Sequence, residues 1–579
     1  MAYTGGASEF GPRPVAMGRR GMVATANPLA TQAGLRMFAQ GGNAVDAAVA
    51  AAAAVTVVEP YFSSVGGIGM AVLSLPDGTT RTLNFMGPSP RASRLELFNA
   101  ETQDLGILAP MIPGNVAGWG RLLDEFGSLP LAQVLEPSIE FAERGYPVTV
   151  FDNVRTAAAL DRLTWPDAAR TFLRDGRPYR PGEVLRQPGL AATLRAIASE
   201  GWMTFYRGGL ARTIAGYFAD HGRLISEADL HTFSDSLAWE APVTARFRGF
   251  EIRTTPPPTS AVQVLQTLRI LEVFDLRDED PLGPDALATI AEAIRLARMD
   301  CHKHVADPRF VEVPLTWMIS DERIDHLRAE TQRRLRAGRR RAGRAASGGR
   351  RPAARIRRAR RAPERSTTHL GAADASGLAV NITQTVGSSF GSGVVIGDTG
   401  ITMNNGHHWC TLIPGDPRVL APDKKRESPT SPVHGFALQD PPVAPTHSFA
   451  VDSTTPAQGT RGARLAFLVG TPGSYGIPQT TAQVIVGLVE YGWNVQDAIA
   501  APRFRWKDDV GDPLPPDTLL VEGRFAPATR RALAARGYKM EMLEDWSMRV
   551  GGAQGIAFRE DGWLQGGADP RRNGYAMGW

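Results

Sequence analysis

Cysteine is nearly absent. Cys301 and Cys410 are the only two in 579 residues, so no disulfide framework holds the chain and a reducing compartment is expected. Lysine is scarce as well, limited to Lys303, Lys424, Lys425, Lys507 and Lys539, so arginine carries nearly all the positive charge. Long apolar runs are missing. The most apolar early stretch, Ala44 to Val58, contains Asp46 and is too short to span a membrane, which leaves a buried helix. Met1 to Arg20 has no apolar signal-peptide core and is expected to be a disordered leader on a soluble, cytoplasmic protein with no membrane partner.

What is plentiful is arginine, in one place. Between Arg333 and Arg365 stand 15 Arg and one Glu, more positive charge than the +5 of the whole chain, so the rest of the protein is net negative. Gly, Ala and Pro are scattered among these arginines without apolar period, which predicts an unstructured linker. Clustered arginine also binds nucleic acid by charge. Here it lacks interleaved aromatics and a folded motif, so nucleic acid is not an expected partner. A basic, catalytically dead scaffold whose Arg tract binds anions is the competing class of reading, and it predicts an uncut chain.

Around that tract the pattern is of helices and strands in alternation. Asn27-Pro28 opens a helix over Ala30 to Gln40, and Asn43 caps an Ala-rich one through Ala54. Strands are expected at Met70–Leu75, Thr80–Phe85 and Leu465–Val469, and helices at Thr480–Tyr491 and Asn494–Ala500. Residues 113 to 300 read as mainly helical, interrupted by strand and loop over Phe247–Pro256. After the tract, Thr367–Ala373 and Leu378–Thr385 flank the turn Asp374-Ala375-Ser376-Gly377, and Leu378, Val380 and Ile382 alternate with smaller or polar residues as in a hairpin strand. Residues 421 to 462, rich in Pro, Ser and Thr, show little pattern.

The junction is Ser366-Thr367-Thr368-His369-Leu370. A hydroxyl residue at the head of a strand, just after an exposed linker, can become a new N-terminus and act as a nucleophile. Ser366 and Thr368 are its immediate alternatives.

Several segments in chain order resemble the γ-glutamyltransferase family of N-terminal nucleophile hydrolases. They are Gly41-Gly42-Asn43-Ala44-Val45-Asp46, Glu59-Pro60 with Gly66-Gly67-Ile68-Gly69, Pro113-Gly114 with Gly118-Trp119, and Pro256-Pro257-Pro258 with Ser260. Thr367-Thr368-His369, Phe390-Gly391-Ser392-Gly393, Asn404-Asn405, Pro472-Gly473, Ala501-Pro502-Arg503 and Asp569-Pro570-Arg571 complete the set. The resemblance implies an α/β fold, a four-layer αββα sandwich made from one self-cleaved precursor. Its parts would be a leader (1–20), a large fragment (21–332), a maturation linker (333–366) and a small fragment (367–579), the two fragments pairing as a heterodimer. Cleavage would fall between Ser366 and Thr367. Thr367 would be the nucleophile, Thr385 the hydroxyl supporting it, and Gly473 with Ser474 the backbone N–H pair facing the oxyanion. The chemistry implied is hydrolysis, with transfer as a further outcome, of γ-glutamyl-type amides such as glutathione, without metal or other cofactor.

The positions matching the family's acyl-binding residues are Asn84, Gly387, Asn405, Gly406, Trp409 and Ser428. Here the chain departs from the pattern. Asn84 replaces the arginine that holds the substrate α-carboxylate, and Gly387, Gly406 and Trp409 replace three residues that grip its α-amino group; the family's paired serines fall at Ser428 and Pro429. Each lost charged hydrogen bond forfeits about 1.5–3 kcal/mol of substrate binding. The alternative substrate is therefore a small acid amide without the α-amino group, oxamate- or glutaryl-like. Glu59, Asn381, Asn404 and Asn405 are polar residues of matching motifs whose roles can be purely structural. Cys301-His302 with His304 supplies too few ligands for a structural metal site. His407-His408-Trp409 reads equally as a lid over the acyl pocket or as exposed loop.

Overall fold

A computed structural model describes residues 11, 13–346, 356–358, 366–439, 463–508 and 516–579. Two seven-stranded antiparallel sheets stack face to face. One runs in the order Tyr575–Gly578, Gly21–Thr25, Ser366–Asp374, Ala379–Gly387, Ile68–Ser74, Thr80–Phe85, Trp239–Glu240. The other runs Ala16–Gly18, Leu564–Ala568, Gln554–Phe558, Ala463–Gly470, Val433–Leu438, Phe250–Thr254, Val243–Phe247. Helices Pro28–Ala39 and Ala44–Val58 cover the first sheet. Helices Val262–Leu271, Pro284–His304, Gly476–Val489 and Val495–Ala500 cover the second. The result is the expected four-layer αββα sandwich.

Local chemistry accounts for the elements that frame the centre. Ala44–Val58 is buried on every side, which small side chains permit, and its start is fixed by a capping box in which Asn43 and Asp46 bond each other's backbone. Asp46 also accepts from Ser128 N, Ser128 Oγ and Leu129 N at 2.5–3.1 Å, tying this helix to the next unit. The strand Ser366–Asp374 is inserted between Gly21–Thr25 and Ala379–Gly387, so both of its edges are paired.

Three expectations need correction. Helix Asp321–Ala346 runs well into the Arg tract, where an unstructured linker was predicted from Arg333. Its buried face, Ile324, Leu327 and Thr331, lies upstream of the arginines, while Arg and Ala propagate a helix well once it has started. Glu330 pairs with Arg334 at 2.6 Å and Arg339 with Asp285 at 2.8 Å, so part of the positive charge is neutralised locally. Residues 347–355 and 359–365 of the tract lie outside the described residues, as do residues 440–462. Second, Ala16–Gly18, read as part of a disordered leader, is an edge strand paired with Leu564–Ala568. Third, within the poorly patterned 421–462 stretch, Val433–Leu438 is an inner strand of the second sheet, and Arg426 to Ser431 are buried. Among the described residues no helix is long and apolar enough to cross a membrane.

Asp46→Ala removes a buried acceptor shared by two segments. It should lower the stability of an uncleaved precursor by about 3 kcal/mol or more, read as an earlier urea midpoint.

Candidate active site

Thr367 stands at a β-bulge: pairing with the neighbouring strand shifts register between Ser366 and Thr368. A bulge re-aims the side chain it carries. The Thr367 hydroxyl donates to Thr385 Oγ1 at 3.4 Å, and Thr385 Oγ1 also accepts from Gly387 N at 2.7 Å. Both threonines are buried, Thr367 being 7% exposed. Sequence reasoning thus named two hydroxyls that the fold brings together.

The main chain around Thr367 is held from two sides. Arg572 Nη1 donates to the Thr367 carbonyl at 2.7 Å, and the Thr368 hydroxyl donates to Glu59 Oε2 at 3.0 Å. Arg572 was not singled out in the sequence; its signal was adjacency to Asp569-Pro570-Arg571. That motif meets Ala501-Pro502-Arg503 in a fully buried ion cluster. Arg571 bonds Glu522 and Asp569, and Arg503 bonds Asp569, which fixes the turn delivering Arg572. Burial raises the Glu59 pKa to about 7, with Arg572 and the Thr368 hydroxyl pulling the other way. His369, bonded to Thr383 Oγ1 at 2.8 Å, is pushed down to about 3 by burial and stays neutral.

The Gly473-Ser474 turn follows directly on the strand Ala463–Gly470. A methyl on Gly470 would collide with the His369 ring, and one on Gly371 would stand 2.6 Å from Leu468 Cδ1. Ala463–Gly470, which leads into the turn, therefore packs directly against the strand that begins at Thr367. Gly473 has φ +139° and Ser474 φ +56°, both positive. Neither N–H donates to an acceptor among the described residues. Ser474 holds this left-handed conformation without being glycine.

The substrate-binding candidates are partly gathered. Gly387 has φ +98°, and a methyl there would meet Asn405 and stand 2.8 Å from Trp409 Cζ3. Asn405, read as substrate-binding, instead commits both ends of its amide: Oδ1 accepts from Ser388 N and Nδ2 donates to Asp104 and Ser388. Asn404 bridges Gly66 and Met111, and Asn381 of the first sheet donates to the Val433 and Val469 carbonyls of the second; both have structural work. Gly406 packs on Met111. Ser428 is buried, bonded to Thr430 through its hydroxyl and to Pro258 and Ser260 through its backbone. Asn84 Oδ1 accepts from Met86 N, while its buried Nδ2 has no partner among the described residues. The exposed-loop reading of 407–409 fails for two of its three residues: His407 and Trp409 are buried, His407 bonding the Leu108 carbonyl. Cys301 is buried in the core beneath the second sheet.

With this arrangement in view, comparison with known proteins is decisive. Residues 30–579 match the Gamma-glutamyltranspeptidase family. The chain belongs to that family. This γ-glutamyltranspeptidase-family chain is 34% identical to the acylase ACY 1 proenzyme of Pseudomonas sp. strain SE83, over 96% of its length and 93% of the relative's. It is 31% identical to the glutathione hydrolase proenzyme of Escherichia coli K12, over 96% and 90% respectively. Its fold matches the cephalosporin acylase from Bacillus halodurans with a TM-score of 0.82 and 30% identity, covering 100% of this chain and 98% of that one. The family member described here is accordingly an amide hydrolase of the γ-glutamyltranspeptidase type.

Glu59 sets a pH dependence. Its carboxyl titrates near 4.5 when unfolded and near 7 when folded, so between these values the folded state holds the extra proton and stability falls as pH rises. Glu59→Gln removes this loss. Relative to the parent protein it should gain up to about 3 kcal/mol between pH 5 and pH 8, measured by denaturation at both values.

Proposed function

We propose that the chain is a precursor that cuts itself between Ser366 and Thr367 and then hydrolyses amides through an acyl-enzyme on Thr367. The observation carrying this is the contact of the Thr367 and Thr385 hydroxyls at the head of the central strand; the unpartnered N–H groups of Gly473 and Ser474, on the turn after the facing strand, support it. In maturation Thr367 Oγ1 attacks the Ser366 carbonyl, the peptide becomes an ester by N-to-O shift, and water splits it. That step leaves a carboxylate on Ser366 and frees both the hydroxyl and the α-amine of Thr367. The amine, with a reference pKa of about 7.7–8.0, then serves as base for its own hydroxyl. Thr385 orients that hydroxyl, and the Gly473-Ser474 turn receives the oxyanion. No step calls for a metal or cofactor.

The boundaries proposed for the mature parts are 21–332 and 367–579. They would stay associated as a heterodimer, because strands Gly21–Thr25 and Ile68–Ser74 of the first flank the Ser366–Gly387 hairpin of the second. Two buried, unpaired cysteines fit a reducing compartment, the cytoplasm in this reading.

The favoured substrate is an acid amide without an α-amino group, hydrolysed more readily than transferred. Gly387 and Gly406 offer no side chain to an ammonium and Trp409 presents a ring, which parallels the acylase name of one relative. A γ-glutamyl substrate is the second reading, supported by the likeness to a glutathione hydrolase.

Intact mass and N-terminal sequencing of purified protein should show two fragments, the smaller beginning Thr-Thr-His-Leu-Gly, and a single chain for Thr367→Ala. An uncut parent chain after long incubation would instead favour the basic scaffold. Thr385→Val should mature slowly and lose about tenfold in kcat, the worth of one buried hydrogen bond. Turnover of a γ-glutamyl anilide equal to or better than that of a glutaryl anilide would reverse the substrate preference.

A further inference from the structure

Arg426 carries a charge that the mechanism above leaves unused. It is 4% exposed, its Nη1 donates to the Glu427 carbonyl at 3.2 Å, and its Nε has no hydrogen-bond partner. Among the described residues Nη2 donates to nothing, and no carboxylate lies within ion-pair distance. Glu427, next in the chain, is turned elsewhere: Ser260 Oγ donates to its Oε1 and Tyr475 OH to its Oε2. A desolvated guanidinium with one open edge is costly unless an anion completes it. Burial accordingly depresses the Arg426 pKa.

Its surroundings are those of the site. The guanidinium lies over the Trp409 ring, Cζ 4.8 Å from the centroid, and Trp409 abuts Gly387. Gly387 N donates to Thr385 Oγ1, which is 3.4 Å from Thr367 Oγ1. On the other side Tyr475, whose phenol is among the groups acting on Arg426, directly follows Ser474. The segment bearing Arg426 also runs past Asn84, since Lys425 Nζ donates to the Asn84 carbonyl at 3.3 Å. Lys425 is the weaker candidate, its ammonium being engaged there with Glu240 among the nearby charges.

We propose that Arg426 supplies the carboxylate-binding group that Asn84 cannot, and that it holds the far carboxylate of a short dicarboxylic acid monoamide. The Nε–Nη2 edge presents two parallel donors matched to a carboxylate, and stacking on Trp409 holds the plane in place before substrate arrives. The same positive charge repels an ammonium, so an α-amino group next to the carboxylate is disfavoured. Asn84 Nδ2 is a second unpartnered buried donor on this side of the site. The inference rests on the acyl-hydrolase reading above.

The test compares glutaryl-p-nitroanilide with pentanoyl-p-nitroanilide, equal in length and differing in the carboxylate, on matured parent enzyme and on Arg426→Gln and Arg426→Lys. The parent should prefer the glutaryl substrate, and Arg426→Gln should reduce that preference, as a ratio of kcat/KM, by roughly tenfold to a hundredfold, mainly through KM. Arg426→Lys should retain an intermediate share, because it keeps the charge without the planar fork. Free glutarate should inhibit the parent competitively and Arg426→Gln at least tenfold more weakly. An unchanged ratio in a variant that still cleaves itself would overturn the role of Arg426 while leaving the hydrolase reading intact. A parent enzyme that matures and shows no preference for the carboxylate would also overturn it. A parent chain that neither cleaves itself nor releases nitroaniline would overturn the hydrolase reading, and the inference with it. Should Arg426→Gln fail to fold, the ratio for Arg426→Lys and the glutarate inhibition of the parent decide.

Discussion

The structure depends on a central strand that begins at the hydroxyl proposed to react. Ser366–Asp374 is paired on both edges, and its face lies against the second sheet. A strand in that position cannot drift. Its register is set by two neighbours and by close contacts at Gly371 and Gly470, where a methyl would strike Leu468 or His369. The position of Thr367 is thereby a property of two whole sheets and not of a loop. The bulge at its head releases the side chain from the regular ladder and turns it toward Thr385.

Buried charge does the remaining positioning. Arg571, Glu522, Asp569 and Arg503 satisfy one another in the interior, which makes their cluster costly to break and therefore rigid. Arg572 emerges from it with its guanidinium on the Thr367 carbonyl. Glu59 and Arg426 differ from that cluster. Neither has a full set of partners, and both border the site, where perturbed ionisation commonly accompanies function.

Family membership and the proposed acyl specificity rest on different observations. Similarity to an acylase and to a glutathione hydrolase extends over nearly the whole chain. The proposed acyl wall consists of a few groups: glycine at 387 and 406, a ring at 409 and an arginine stacked upon it. Fold and reaction type can persist while such a wall is rebuilt, because specificity needs only a few contacts placed against a rigid frame.

The sequence by itself was enough for the αββα class, for the hairpin that begins at Thr367 and for the pairing of Thr367 with Thr385, because each rests on local period, turn residues or collinear motifs. It was enough also for the helix capped by Asn43. It misread Arg333–Ala346, where the apolar face that anchors the helix precedes the tract, and Val433–Leu438, whose pattern is masked by the Pro- and Ser-rich residues around it. Arg572, Glu427, Tyr475 and Arg426 carry no local signature. Their significance comes from which groups the fold sets beside them and from the loss of water there. Charge and hydrogen-bond partnership in an interior are non-local quantities, so only the tertiary structure decided them.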